Sequence, residues 1–329
     1  LHFFRLQAFL KTSRALARII FIIGFGYLWG VAGAVSGYIA APLFVFALAF
    51  LYDMFRVQPT LPKEDTSFAF EQKTLLNYAW PFTLFLIFYE LVLTADLYFV
   101  KALLHSDYLT GLYNATITVG RIPYYLFYAL TIILLPAIAK TKKQKSLTES
   151  QALVTKTLLL MYIILAPMVT LLFAYSHQVI RFFYGAKYLE AIPSFEIFVF
   201  GAGLLTVFYV LAFALHGAGR VMIPMYLSLF GILILAALNL TLIPHYGLSG
   251  AAWSVTLTSL FLAASVLVCI KKEFQLSLMP YHAAIALASS IAIAFFGTLL
   301  PTSQLLFIPQ CAVLFGLHLS FLYATKVLV

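Results

Sequence analysis

NATITVGRIPYYLFYALTIILLP, residues 114–136, contains a single formal charge, Arg121. About 20 apolar residues in a helix cross a bilayer core about 30 Å thick, so this stretch reads as a membrane span with a guanidinium inside it. An isolated guanidinium in hydrocarbon is costly. Arg121 must therefore face protein, a water-filled cavity or a counter-charge.

The rest of the chain has the same character, with 64% hydrophobic and 9% charged residues, against about 25% charged in an average soluble domain. Apolar runs lie near 14–30, 34–55, 77–100, 107–139, 152–175, 188–215, 221–243, 248–270, 278–299 and 303–325. They are continuous rather than alternating, which predicts an all-α polytopic membrane protein of about ten transmembrane helices and argues against a β-barrel. The net charge of +9 raises the question of a nucleic-acid partner, but the 20 Lys and Arg residues alternate by loop. With the N-terminal end of the chain in the cytoplasm, sixteen fall on that side and three, Lys101, Arg181 and Lys187, on the other. This asymmetry is the positive-inside pattern, so the charge is a topology signal and no nucleic acid is implied.

Cys269 and Cys311 sit inside apolar runs without metal or disulfide spacing, the histidines are dispersed, and there is no P-loop. No metal and no cofactor is expected. The longest outer segment, near Ser176–Glu190, is amphipathic and is expected to lie at the interface.

An internal repeat is visible. Gly30-Val-Ala-Gly33-Ala34 opens the second span and Gly247-Leu-Ser-Gly250-Ala251 the eighth, 217 residues later, and each apolar run ends in basic residues at a similar offset. A duplication would make 77–272 a whole six-span repeat and 1–56 the last third of its partner, with about 140 residues expected to precede the chain.

Charged residues within the spans are the candidates for chemistry: Glu90 and Asp96 on the third, Arg121 on the fourth, Glu196 on the sixth. The turn between spans three and four puts Glu90 and Arg121 at similar depth. Two readings stay open: a structural ion pair, or an Arg121 that binds an anionic substrate group in an aqueous cavity with Glu90 tuning it. The planar guanidinium fork suits phosphate. Asp96 lies nearer the outer surface and is expected to be solvated, while Glu196 is either a proton site or a helix-to-helix hydrogen bond. Tyr124, Tyr125 and Tyr128 follow Arg121 and either stack on sugar rings or simply pack. Pro123 is expected to kink the helix close to Arg121.

Asp96-Leu-Tyr-Phe-Val100, Gly111-Leu-Tyr-Asn-Ala115, Arg121-Ile-Pro123 and Leu134-Leu-Pro136 resemble the seventh and eighth helices of polysaccharide-type flippases of the multidrug/oligosaccharidyl-lipid/polysaccharide superfamily. Phe183-Tyr-Gly185-Ala-Lys-Tyr188 resembles the segment before the tenth helix, and Leu242-Ile-Pro-His-Tyr-Gly247-Leu-Ser-Gly-Ala-Ala252 the start of the twelfth. The resemblance implies that 1–56 forms the last two helices of an N-terminal lobe, 57–76 a cytoplasmic inter-lobe linker, 77–272 the C-terminal six-helix lobe and 273–329 two additional helices. It also implies a flippase that moves undecaprenyl-diphosphate-linked oligosaccharide across a bacterial or archaeal cytoplasmic membrane by alternating access. Arg121, Glu90, Tyr124, Tyr125 and Tyr128 would then meet substrate, with Asp96 and Glu196 as candidates for ion coupling. The implied partners are the lipid-linked oligosaccharide, membrane lipid, and a glycan polymerase or other assembly protein. A multidrug and toxin extrusion type cation antiporter is the alternative, and a membrane enzyme of polysaccharide assembly the weaker third class.

Overall fold

The computed structural model describes residues 2–57, 72–276, 280–299 and 306–325, with helices joined by short turns and no strand among the described residues. The chain divides into two units, Leu1–Glu71 and Gln72–Val329. Most of the expected linker, 58–71, lies outside the described residues.

In the first unit, helix α1 (His2–Tyr52) runs for 51 residues. A straight helix of that length would extend about 77 Å, over twice the bilayer core. It reverses instead at Gly30, whose φ of 62° and ψ of −141° lie outside helical space. The two halves then pack antiparallel, with Phe21 against Phe44 at 5.5 Å and the Arg18 guanidinium 4.3 Å from the Tyr38 ring centroid.

The second unit contains α2 (Gln72–Leu104), α3 (Asp107–Gly120), α4 (Ile122–Lys143), α5 (Leu147–Leu160), α6 (Ala166–Ala174), α7 (Ser176–Tyr184), α8 (Ile192–Gly217), α9 (Met222–Phe274), α10 (Pro280–Leu299) and α11 (Phe307–Ala324). Among the described residues, seven helices are long and apolar enough to cross a membrane. Of these, α1 and α9 are each long enough to cross twice, and Ala283–Leu299 adds a shorter apolar helix, which accounts for the ten apolar runs of the sequence. Helix α8 is the axis of this unit. It is apolar all round, buried along most of its length, and packed against α9, α4, α3 and α6.

Helix α9 reverses at Gly247, with φ 57° and ψ −132°. The glycine geometry of α1 thus recurs 217 residues later, and the close approach three residues beyond it recurs as well. A Cβ on Gly33 would run into the carbonyl of Phe25, and one on Gly250 into the carbonyl of Leu242. The second span of each hairpin needs glycine because the preceding span's backbone occupies the space.

The fifth span is one continuous apolar element, Leu147–Ala174, but its centre, Met161–Leu165, is a π-helical turn. The widened ladder has a visible partner. His318 of α11 is fully buried, with Nε2 3.1 Å from the Ile163 carbonyl and Nδ1 3.0 Å from Ser289 Oγ of α10. A carbonyl only accepts, so Nε2 carries the hydrogen of that bond. Thr170 Oγ1 also donates to the Ser290 carbonyl at 3.3 Å and Tyr175 Oη to that of Gly297 at 3.1 Å. These bonds dock α10 and α11 on the unit. His318→Ala is expected to lower unfolding stability by about 1–3 kcal/mol, the cost of leaving a buried carbonyl unpaired. Hydrogen exchange should quicken in α10 and α11 first, and an unchanged exchange pattern would refute the pinning role.

Candidate functional site

Helix α2 turns one stripe inward: Phe85, Tyr89, Val92, Leu93, Asp96 and Val100 are buried at spacings of three and four. Asp96 lies on that stripe. Its side chain is fully buried, Oδ2 accepts a 3.0 Å hydrogen bond from Tyr113 Oη of α3, and Oδ1 has no hydrogen-bond partner among the described residues. The expectation of a solvated Asp96 is therefore corrected, because nearness to the outer turn says nothing about which face of the helix a residue occupies. Glu90 is off the stripe and exposed.

Arg121 does not sit inside a helix. It is the junction of α3 and α4, with φ −88° and ψ 3°, followed by Pro123 in the first turn of α4. The fourth span is thus two helices, and the break falls at the arginine rather than as a kink after it. Gly120 makes room there, since a Cβ at that position would lie 2.6 Å from Phe198 Cδ1. The guanidinium Nη2 donates to the Leu93 carbonyl of α2, and Cζ lies 5.9 Å from the Phe198 ring centroid.

The proposed meeting of Glu90 and Arg121 does not occur. Among the described residues the ion pairs are Lys101–Asp107, Lys142–Glu273 and Arg220–Glu273. Asp96 is within electrostatic reach of Arg121, and Tyr113 of both. A void of about 10 Å³ borders Arg121, Leu93, Tyr124, Phe198 and Leu205, which is room for about one water.

The tyrosines extend this site along α4. Tyr124 is partly buried, whereas Tyr125 and Tyr128 are 61% and 44% exposed. Tyr209 of α8 joins them, 5.2 Å from Tyr124, 6.1 Å from Tyr128 and 4.5 Å from Tyr89 between ring centroids. Glu90 lies within electrostatic reach of Tyr124 and Tyr209. Tyr209, Tyr113 and Phe198 were not singled out from sequence. The stripe of α2 would have pointed to the faces opposite it, but a helix that is apolar all round gives no sign of which tyrosine matters.

Glu196 is partly buried and accepts a 2.6 Å hydrogen bond from Ser176 Oγ, which joins α7 to α8. Its contact is a helix-to-helix link. The chemistry available at Arg121 is anion binding: a planar cation at a helix break, held by a neutral carbonyl, beside a row of phenol rings.

The chain matches the polysaccharide biosynthesis protein family over residues 3–193. It is 26% identical over 186 residues to the uncharacterized membrane protein MJ1375 of Methanocaldococcus jannaschii, covering 56% of this chain and 43% of that protein. It is 24% identical over 260 residues to MJ1068 of the same organism, covering 76% and 50%. The chain thus spans about half the length of the curated relatives it matches. Its fold is similar to that of the lipid II flippase MurJ in an inward closed conformation, with a TM-score of 0.70 and 15% identity over 97% of this chain and 67% of that one. With its apolar helices and a family match over more than half its length, the chain belongs to the polysaccharide biosynthesis protein family as a multi-pass membrane protein.

Proposed function

We propose that the protein translocates an undecaprenyl-diphosphate-linked oligosaccharide, an O-antigen, capsule or exopolysaccharide repeat unit, across the cytoplasmic membrane by alternating access, with the N-terminal end of the chain on the cytoplasmic side. Family membership and the fold shared with a lipid II flippase support a transporter rather than an enzyme. The observation that carries the substrate assignment is Arg121, a guanidinium bonded to a neutral carbonyl instead of a carboxylate. A carbonyl bond leaves the positive charge free to exchange partners, and a diphosphate offers the fork a stronger, charged acceptor. Tyr124, Tyr125 and Tyr128 supply ring faces for the sugars. Asp96, with one unpartnered oxygen beside this cation, is the candidate for ion coupling. Glycan polymerases or other assembly proteins fit as partners.

The test is movement of a fluorescent undecaprenyl-diphosphate oligosaccharide between leaflets of proteoliposomes. A leaflet distribution identical to that of protein-free vesicles would refute the proposal.

One observation favours the second reading, a cation antiporter: Glu90 is exposed beside Tyr124 and Tyr209, and carboxylate plus phenol rings suit an organic cation. The two readings separate at this residue. Under the flippase reading Glu90→Gln should reduce translocation less than Arg121→Ala, because Glu90 forms no ion pair with Arg121. Loss of transport in Glu90→Gln with full activity in Arg121→Ala would favour the antiporter.

A further inference from the structure

At one end of the second unit, α4 and α9 terminate side by side. Lys140, Lys142 and Lys143 occupy the last turn of α4, with Lys145 just beyond it, and Lys271 and Lys272 the last turn of α9. Arg220 in the turn between α8 and α9 adds a further cation. Glu273 ties these elements together: Lys142 Nζ lies 2.8 Å from one carboxylate oxygen and Arg220 Nε 2.9 Å from the other. Lys142 also stands 5.6 Å from the Phe274 ring centroid. Both helices close through a left-handed residue, Lys145 at φ 56° and Gln275 at φ 50°.

The charges do not balance. With Glu273 shared between Lys142 and Arg220, the exposed residues Lys140, Lys143, Lys145, Lys271 and Lys272 make no ion pair among the described residues, and Glu149 on the first turn of α5 makes none either. Two helix C-termini offer together about one negative elementary charge. Set against Glu273, Glu149 and that dipole charge, the seven cations leave an excess of about four positive charges on this face. Both helices are apolar up to these lysines, so the cations lie where a span meets lipid headgroups.

We propose that this face binds the anionic headgroups of membrane phospholipids, with the Glu273 clamp holding the ends of α4 and α9 together so that Lys140, Lys143, Lys271 and Lys272 converge on phosphate. The proposal does not depend on what the protein transports. Each basic residue near a charged leaflet adds attraction to anionic but not to zwitterionic lipid.

The test is native mass spectrometry of the full chain in detergent, titrated with phosphatidylglycerol or phosphatidylcholine. Wild type is expected to retain phosphatidylglycerol at least about tenfold more tightly than phosphatidylcholine. The variant K140Q/K143Q/K271Q/K272Q should lose that preference, whereas K101Q/K187Q at the opposite end should keep it. Equal retention of the two lipids by wild type, undiminished retention by the quadruple variant, or an equal loss in K101Q/K187Q would each overturn the proposal. Displacement of the lipid by inorganic phosphate would instead identify a free-anion site and overturn the lipid assignment.

Discussion

Arg121→Ala is expected to cut translocation of the lipid-linked oligosaccharide by at least about thirtyfold, since truncating one partner of a desolvated charge pair costs about 2–5 kcal/mol. The residue has two kinds of contact that the substitution removes, and they are separable. One is structural: the bond to the Leu93 carbonyl and the contact with Phe198, which hold α2, the α3–α4 junction and α8 together. The other is the proposed bidentate contact with diphosphate. Arg121→Lys keeps the charge and a single donor direction but loses the fork, so it should recover stability more fully than transport. Thermal unfolding in detergent measures the first contribution and leaflet exchange the second. Wild-type transport in the alanine variant would eliminate the anchor role. A transport loss fully matched by unfolding would reduce Arg121 to a scaffold residue.

The largest effect on folding is expected at the hairpin glycines. Gly250→Val places a branched side chain where the Leu242 carbonyl stands, and Gly33→Val does the same against Phe25. The obstacle is backbone in both cases, so no rotamer change relieves it, and the cost should reach or exceed the upper end of the about 1–3 kcal/mol typical of overpacking. Gly250→Val protein is expected to be largely absent from membranes or aggregated on size exclusion, with Gly250→Ala intermediate. A monodisperse, normally abundant Gly250→Val protein would show that the two halves of α9 separate without penalty.

Much of this architecture was legible in the sequence because hydrocarbon imposes simple requirements. Apolar runs and the Gly-x-x-Gly-Ala recurrence follow from burial and close backbone approach, and the repeated reversals at Gly30 and Gly247 have the same cause. The site was read less well, for identifiable reasons. Depth along the helix places Glu90 level with Arg121, but a partner is chosen by face as well as depth. The spacing Phe85, Tyr89, Val92, Asp96, Val100 marks the inward face and puts Asp96, not Glu90, on it. The break at Arg121 has its punctuation in Gly120 and Pro123, a pair that fits a bend within a continuous helix equally well. The π-helical turn at Met161–Leu165 has no counterpart in residue periodicity. It became intelligible only through His318, over 150 residues away in the chain.

The placement of the helix break has a mechanical consequence. Beyond Arg121, α4 continues for 22 residues, or about 33 Å, so a tilt of about 10° pivoting on the guanidinium would sweep the Lys143 end through about 6 Å. The arginine is the fulcrum of a long lever whose far tip is tethered by Lys142 to Glu273. A reorientation at the partly buried Arg121 would therefore be magnified at the Lys143 end, where it would strain the Lys142–Glu273 tether.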